Sequence, residues 1–261
     1  MPTITVNGLP LHYRDVGQGP AVVVLLHAFP LNGESFDAQV KALSGRYRFI
    51  LPDTRGFGGS GLGEGPTLMS LIAQDTLALL DALGIDRAVV GGVSMGGYAA
   101  MALLREDAGR VAGLVLMDTQ CTADDDAGKA RREASAKEAL EKGAEPVIQA
   151  LLPKLVGAGA DSQVGRAVEA QMRAASPQAI AAAQRGMALR PDSKDILARY
   201  AGPALMVVGE HDAITPPEKA KQMADLVTGA RLEVIPGAAH LANQEQPERV
   251  NAVLDSFLAS L

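Results

Sequence analysis

Hydrophobic and polar positions follow two periods that take turns along the chain. Thr3-Ile4-Thr5-Val6 alternates polar with apolar, Asn7-Gly8 is a strong hairpin signal, and Leu9 to Val16 supplies a returning strand. After a Gly-Gln-Gly-Pro turn, Ala21 to Leu26 is apolar at every position, the pattern of a strand covered on both faces. Further strands are predicted at 48–51, 88–92 and 111–117, separated by helices over 68–83 and 95–105. Strand alternating with helix predicts an α/β fold: a mostly parallel, doubly wound sheet opened by an antiparallel hairpin.

From about Cys121 to Ala198 the strand signal stops and the chain becomes Ala-rich, with helical periodicity broken by Gly143, Pro153, Gly157-Ala158-Gly159 and Ser176-Pro177. The last pair reads as a helix N-cap followed by proline in the first turn. Strand character returns at 204–208, a helix follows over 218–226, a last strand over 231–235 and a closing helix over 247–261. Residues 121–198 are therefore expected to form a helical cap, inserted into a core made of 1–120 and 199–261, with no obvious hydrophobic core of its own.

Composition narrows the function classes. The 261 residues are 48% hydrophobic and 21% charged, with 28 glycines, as in an ordinary globular chain. A net charge of -6 and no basic run argue against nucleic acid or an anionic membrane as the partner. One cysteine, Cys121, cannot close an intramolecular disulfide, and four scattered histidines show no metal-ligand spacing, so neither metal nor cofactor is expected. The opening residues lack a basic-then-apolar leader and no apolar run approaches a membrane span, so a cytoplasmic location is expected. The oligomeric state is left open, homo-oligomer included.

The chemistry lies in Gly92-Val93-Ser94-Met95-Gly96, set between a predicted strand and a predicted helix. Gly-x-Ser-x-Gly in that context puts a serine on a sharp turn with its hydroxyl above the sheet. A serine hydroxyl needs a base within hydrogen-bond reach and a third group to orient that base. His240, in the loop after the last strand, is the expected base, and Asp212, at the end of the preceding strand, is the expected acid. Asp118, just past the strand over 111–117, is the competing acid, ranked second because the order serine, acid, histidine favours Asp212. Among the other histidines, His12 and His211 read as structural or surface residues, and His27 as a buried group that shapes the next loop. The oxyanion donors are expected to be the backbone amides of Met95 and of Phe29, in His27-Ala28-Phe29-Pro30. Asp53 and Arg55 are expected to brace their loop.

With His27-Ala28-Phe29-Pro30, Asp53 to Ser60, Gly92 to Gly97, Gly209-Glu210-His211-Asp212 with Thr215-Pro216-Pro217, and Gly237 to His240 in view, the chain resembles the α/β-hydrolase superfamily over essentially its whole length. Within it, Asp53-Thr54-Arg55-Gly56 and His240 to Pro247 are similar to 3-oxoadipate enol-lactonases. Ala28-Phe29-Pro30 and Ser94-Met95-Gly96-Gly97 are similar to cofactor-free haloperoxidases and esterases. The chain departs at Ala28 and Ala239, where glycine is more usual; alanine tolerates positive φ poorly, which bears on the oxyanion loop.

The resemblance implies a serine hydrolase of small carboxylic esters or lactones that works through an acyl-enzyme, with the helical cap roofing an apolar pocket. Two rivals use the same residues: perhydrolysis, with hydrogen peroxide replacing water, and a ligand-binding receptor of low turnover.

Overall fold

In the computed structural model, which describes residues 2–261, the Asn7-Gly8 turn takes positive φ at both residues, 49° and 75°. That mirror-image turn matches the strand twist and folds β1 (Thr3–Val6) back onto β2 (Leu9–Val16). The sheet continues with β3 (Val22–Leu26), β4 (Arg48–Pro52), β5 (Ala88–Val93), β6 (Val111–Met117), β7 (Ala204–Gly209) and β8 (Arg231–Ile235). The eight strands lie in the order β1-β2-β4-β3-β5-β6-β7-β8. The pairs β1/β2 and β2/β4 are antiparallel and all others parallel, as the hydrophobic pattern predicts.

Strand side chains alternate between two cores. Val24, Leu26, Val90, Leu114, Leu116 and Met206 enter one. Val23, Leu25, Val89, Val115, Met117 and Val207 enter the other. Continuous apolar runs are what a strand needs when both of its faces are covered. On the second face lies α1 (Asp37–Leu43), which packs on the closing helix α11 (Pro247–Leu258). On the first lie α2 (Met69–Ala82) and α3 (Met95–Glu106), packed on each other. Helix α1 is absent from the sequence expectation: at seven residues it is too short for its buried Val40 and Leu43 to register as a helical period.

Between β6 and β7 run α4 (Asp126–Lys142), α5 (Glu145–Leu155), α6 (Gln163–Ala174), α7 (Pro177–Ala188) and α8 (Lys194–Arg199). Ser176 caps α7 by accepting the Ala179 amide at 3.1 Å, with Pro177 opening the helix. Pro153, expected as a break, lies inside α5. It stands in the last turn, where its missing N–H costs one bond at the end of the helix and leaves the preceding turns intact. Helix α4 packs closely on α7, and Ala139, Ala179, Ile180 and Met187 join the core under α2 and α3. Ile148, Leu152, Val168 and Met172 join the opposite core. These helices thus share the hydrophobic cores of the sheet. Helix α8 packs instead on α3 and on α9 (Pro217–Leu226), and the short α10 (Ala242–Glu245) leads into α11.

Candidate active site

Chain order reverses at β3, which has β4 on one side and β5 on the other, and open parallel sheets bind their ligands at the carboxyl ends of strands at such a switch. Ser94 follows β5 and Phe29 follows β3, so both stand there. Ser94 takes φ 53°, a left-handed conformation rare for a residue with a side chain. The turn exists because Gly92 and Gly96 pass each other without side chains: a Cβ on Gly92 would overlap the Gly96 backbone, and one on Gly96 the Leu26 carbonyl. The Ser94 amide donates to the Met117 carbonyl at 3.0 Å, and the Ser94 carbonyl accepts from the Thr119 hydroxyl at 2.8 Å.

The residues singled out in the sequence come together. His240 Nε2 lies 2.9 Å from Ser94 Oγ, and His240 Nδ1 lies 2.8 Å from Asp212 Oδ2. His240 and Asp212 are buried and Ser94 half-buried, so the hydroxyl faces the opening. Asp212 is held from every side: Oδ1 accepts the amides of Ile214 and Thr215 at 2.8 and 2.9 Å, and Oδ2 accepts the Thr215 hydroxyl at 2.8 Å. Burial pushes this carboxyl upward, yet His240 and the Thr215 donors outweigh it and hold Asp212 below the usual carboxylate range. It therefore stays an acceptor for the imidazole N–H.

Asp118, the competing acid, makes no hydrogen bond to His240. It is fully buried, at φ 46°, and its two oxygens accept the amides of Gly209 at 2.8 Å and Ala242 at 3.1 Å. Gly209 ends the strand that leads to Asp212, and Ala242 follows His240 by two residues, so one carboxylate ties the two loops together. Burial and the neighbouring Asp212 charge push the Asp118 carboxyl well above its usual range, against the pull of the two amides. Glu245 makes a second tie, accepting the amides of Ala239 at 2.7 Å and Ala158 at 3.0 Å.

His27 is buried and bonded at both ring nitrogens. Nδ1 donates to the Ala28 carbonyl at 3.0 Å and Nε2 accepts the Thr54 amide at 2.9 Å, while burial lowers its pKa and keeps it neutral. Ala28 does not adopt positive φ, so the loop accommodates alanine without strain. The amides of Phe29 and Met95 donate to no acceptor among the described residues, which leaves both free beside Ser94. Asp53 binds His12 at 2.7 Å and the amides of Gly33 and Gly59, whereas Arg55 forms a buried two-point pair with Asp75 at 2.7 and 2.8 Å. Both residues hold the segment after β4, through different partners: Asp53 ties it to β2 and the loop after β3, and Arg55 ties it to α2. His211 is exposed.

A cavity of about 90 Å³ opens on Ser94 and His240. Phe29, Tyr98, Leu151, Leu155, Met187 and Ile214 give it the apolar wall expected, but Arg132 and Gln184 also line it. Tyr98 is legible in retrospect as the residue one helical turn after Ser94. Arg132 is not: it lies on α4, a largely polar helix whose periodicity does not show which side faces the site. A separate cavity of about 170 Å³ lies beyond Tyr98 and includes Cys121 on its wall, whose thiol burial pushes upward. Among the described residues, no three His, Cys, Asp or Glu side chains are grouped to hold a metal ion, and no helix is long and apolar enough to cross a membrane.

Comparison with known proteins shows the family and the fold. The alpha/beta hydrolase fold family matches residues 21–247. A thermophilic esterase from Thermogutta terrifontis, solved with malate bound, superposes with a TM-score of 0.94 at 36% identity over 99% of this chain and 96% of its own. The enol-lactonase from Burkholderia xenovorans superposes with a TM-score of 0.90 at 29% identity, over 99% of this chain and all of its own. The 3-oxoadipate enol-lactonase 1 of Acinetobacter baylyi is 31% identical over 225 residues, 85% of this chain and 83% of that one.

Proposed function

Since the chain belongs to the alpha/beta hydrolase fold family, we propose that it is a serine hydrolase of small carboxylic esters or lactones, with Ser94 as nucleophile, His240 as base and then acid, and Asp212 as the orienting acid. The observation that carries this reading is the unbroken hydrogen-bond chain from Ser94 Oγ through both nitrogens of His240 to Asp212, with Ser94 on a strained turn at the switch point.

The proposed steps use that geometry. His240 Nε2 takes the Ser94 proton as Oγ attacks the carbonyl carbon, and the amides of Phe29 and Met95 donate to the oxyanion that forms. The imidazolium then gives its proton to the leaving alkoxide. In a lactone the released alcohol stays attached to the acyl group. Water, deprotonated by the same nitrogen, attacks the acyl-enzyme and frees the acid and Ser94. Asp212, ionised and bonded to Nδ1, fixes the imidazole so that Nε2 faces the hydroxyl. The helices between β6 and β7 act as a cap that closes the pocket. Lactones enter the reading through the similarity to two enol-lactonases, and esters through the similarity to the Thermogutta esterase.

The test is hydrolysis of p-nitrophenyl acetate and butyrate by the unsubstituted protein beside Ser94→Ala. The expected loss is about 10⁵-fold or more in kcat. Equal turnover by the two proteins would contradict the assignment.

A further inference from the structure

The proposed chemistry makes no use of the second cavity, beyond Tyr98. It lies between α2, α3 and the segment after α7, and Leu68, Met69, Met101, Leu189 and Pro191 give it a largely apolar wall. Tyr98 is the one described residue that lines both this cavity and the one at Ser94, so it stands between them. The volume is about 170 Å³. An apolar protein cavity of roughly 150 Å³ is enough to hold benzene, so there is room here for a single ring.

One polar group on this wall is unsatisfied. The Arg190 side chain is only 4% exposed. Its Nη1 donates to the Met187 carbonyl at 2.8 Å, and its Nη2 donates to the Thr122 carbonyl at 3.0 Å and to Asp124 Oδ1 at 2.8 Å. None of these three acceptors belongs to a residue of the cavity wall, so the Nη end points away from the cavity and Nε is the donor left to it. That Nε is buried and has no acceptor among the described residues. Buried donors without acceptors are few in native proteins and call for an explanation. The guanidinium carbon also lies 4.2 Å from the centre of the Tyr98 ring, a stacked contact that fixes the plane of the group.

The charges around the cavity are already met. Arg190 is paired with Asp124 at 2.8 Å, and Arg105 with Asp195 at 2.6 Å. Glu106, exposed on the same wall, adds a negative charge that disfavours an anion.

We infer that this cavity is a second binding site, separate from the one at Ser94, for a neutral compound with one aromatic ring and a carbonyl oxygen. The ring fills the apolar space, where the sulfurs of Met69 and Met101 suit an aromatic partner. The carbonyl accepts the Arg190 Nε–H, which supplies the bond that the protein leaves unmade. Binding here needs neither Ser94 nor hydrolysis, so the site stands or falls apart from the serine-hydrolase reading.

Acetophenone is the probe, and α-methylstyrene, of the same shape with a methylene in place of the oxygen, is its control. Each is titrated into protein carrying carbon-13 at its methionine methyl groups and followed by NMR. Acetophenone should shift the Met69 and Met101 methyls in a saturable way, with a smaller change at Met187, which lines the cavity at Ser94. It should bind at least about tenfold more tightly than α-methylstyrene. Arg190→Lys keeps a positive charge near Asp124 but has no Nε–H, and should bring the two affinities together. Ala102→Phe, placed to fill the cavity from α3, should abolish the Met69 and Met101 shifts with the circular dichroism spectrum unchanged. Shifts largest at Met187 would put the ligand beside Ser94 and overturn the inference, as would the absence of saturable shifts. Equal binding of the two probes by the unsubstituted protein would overturn the role of Arg190, and tighter binding of benzoate than of acetophenone would overturn the choice of a neutral ligand. Should Arg190→Lys fail to fold, the comparison of the two probes on the unsubstituted protein decides.

Discussion

At the carboxyl edge of the sheet, Ser94, Asp212 and His240 are held by backbone: tight glycine contacts, strand register, and amides that donate to Asp212 and Asp118. In the helices above, Arg132 and Gln184 are held by side chains that reach across α4 and α7 to Asp124, Ser135 and one another. Backbone geometry is unforgiving, since a lost loop tie leaves a buried N–H without a partner. Side-chain ties between helices can be exchanged one at a time. Under the proposed function, the edge fixes the chemistry and the helices set which molecule reaches it.

The largest expected effect probes the edge. Asp212→Asn keeps the shape but cannot accept from His240 as a carboxylate does; activity should fall about 10⁴-fold. Circular dichroism should show the fold retained. A loss of less than about tenfold, on the scale of a single neutral hydrogen bond, would mean that backbone contacts hold His240 without the acid.

Asp118 tests whether the loops depend on a buried carboxylate beside the site. In Asp118→Asn one of the amides of Gly209 and Ala242 loses its acceptor, and kcat/KM should fall by about tenfold, the equivalent of one buried hydrogen bond. The pH dependence of stability has a definite sign. Because its pKa is raised in the folded protein, the stability contributed by the Asp118 proton is complete below the unfolded value and is lost as pH rises through the higher native value. Denaturant unfolding at several pH values should show the unsubstituted protein losing stability relative to Asp118→Asn as pH rises above the usual carboxylate range. A difference that does not change with pH would contradict the assignment of the proton to Asp118.

The smallest effect belongs to the helices. Ala139 on α4 is fully buried where that helix packs down, and Ala139→Leu should cost about 1–3 kcal/mol of stability through overpacking. Its effect on activity should differ between substrates of different size, whereas Asp212→Asn should slow all of them alike. Uniform slowing by Ala139→Leu would erase the distinction between the two regions.

The same distinction explains what was legible in the sequence. Ser94, Asp212, His240 and the Phe29 loop are each set by a strand end, and apolar runs of four to six residues mark strand ends to within a residue or two. The glycines around Ser94 are required by backbone proximity that any such turn imposes. Asp118 was visible as a strand-end acid, but its task was not, because two backbone amides from distant segments leave no trace in residue spacing. Arg132 was invisible: Arg131 and Arg132 are adjacent arginines on a polar helix, and only the packing of α4 against α7 decides which one faces Ser94. Helix α1, at seven residues, is too short to show a helical period in the sequence.

That the edge activates Ser94 as a nucleophile is tested most directly by treating the protein with a fluorophosphonate and mapping the adduct by mass spectrometry. A single adduct on Ser94 is expected, formed far more slowly once His240 is replaced by Gln. A folded protein that hydrolyses p-nitrophenyl esters yet carries the adduct on another residue, or carries none, would contradict it.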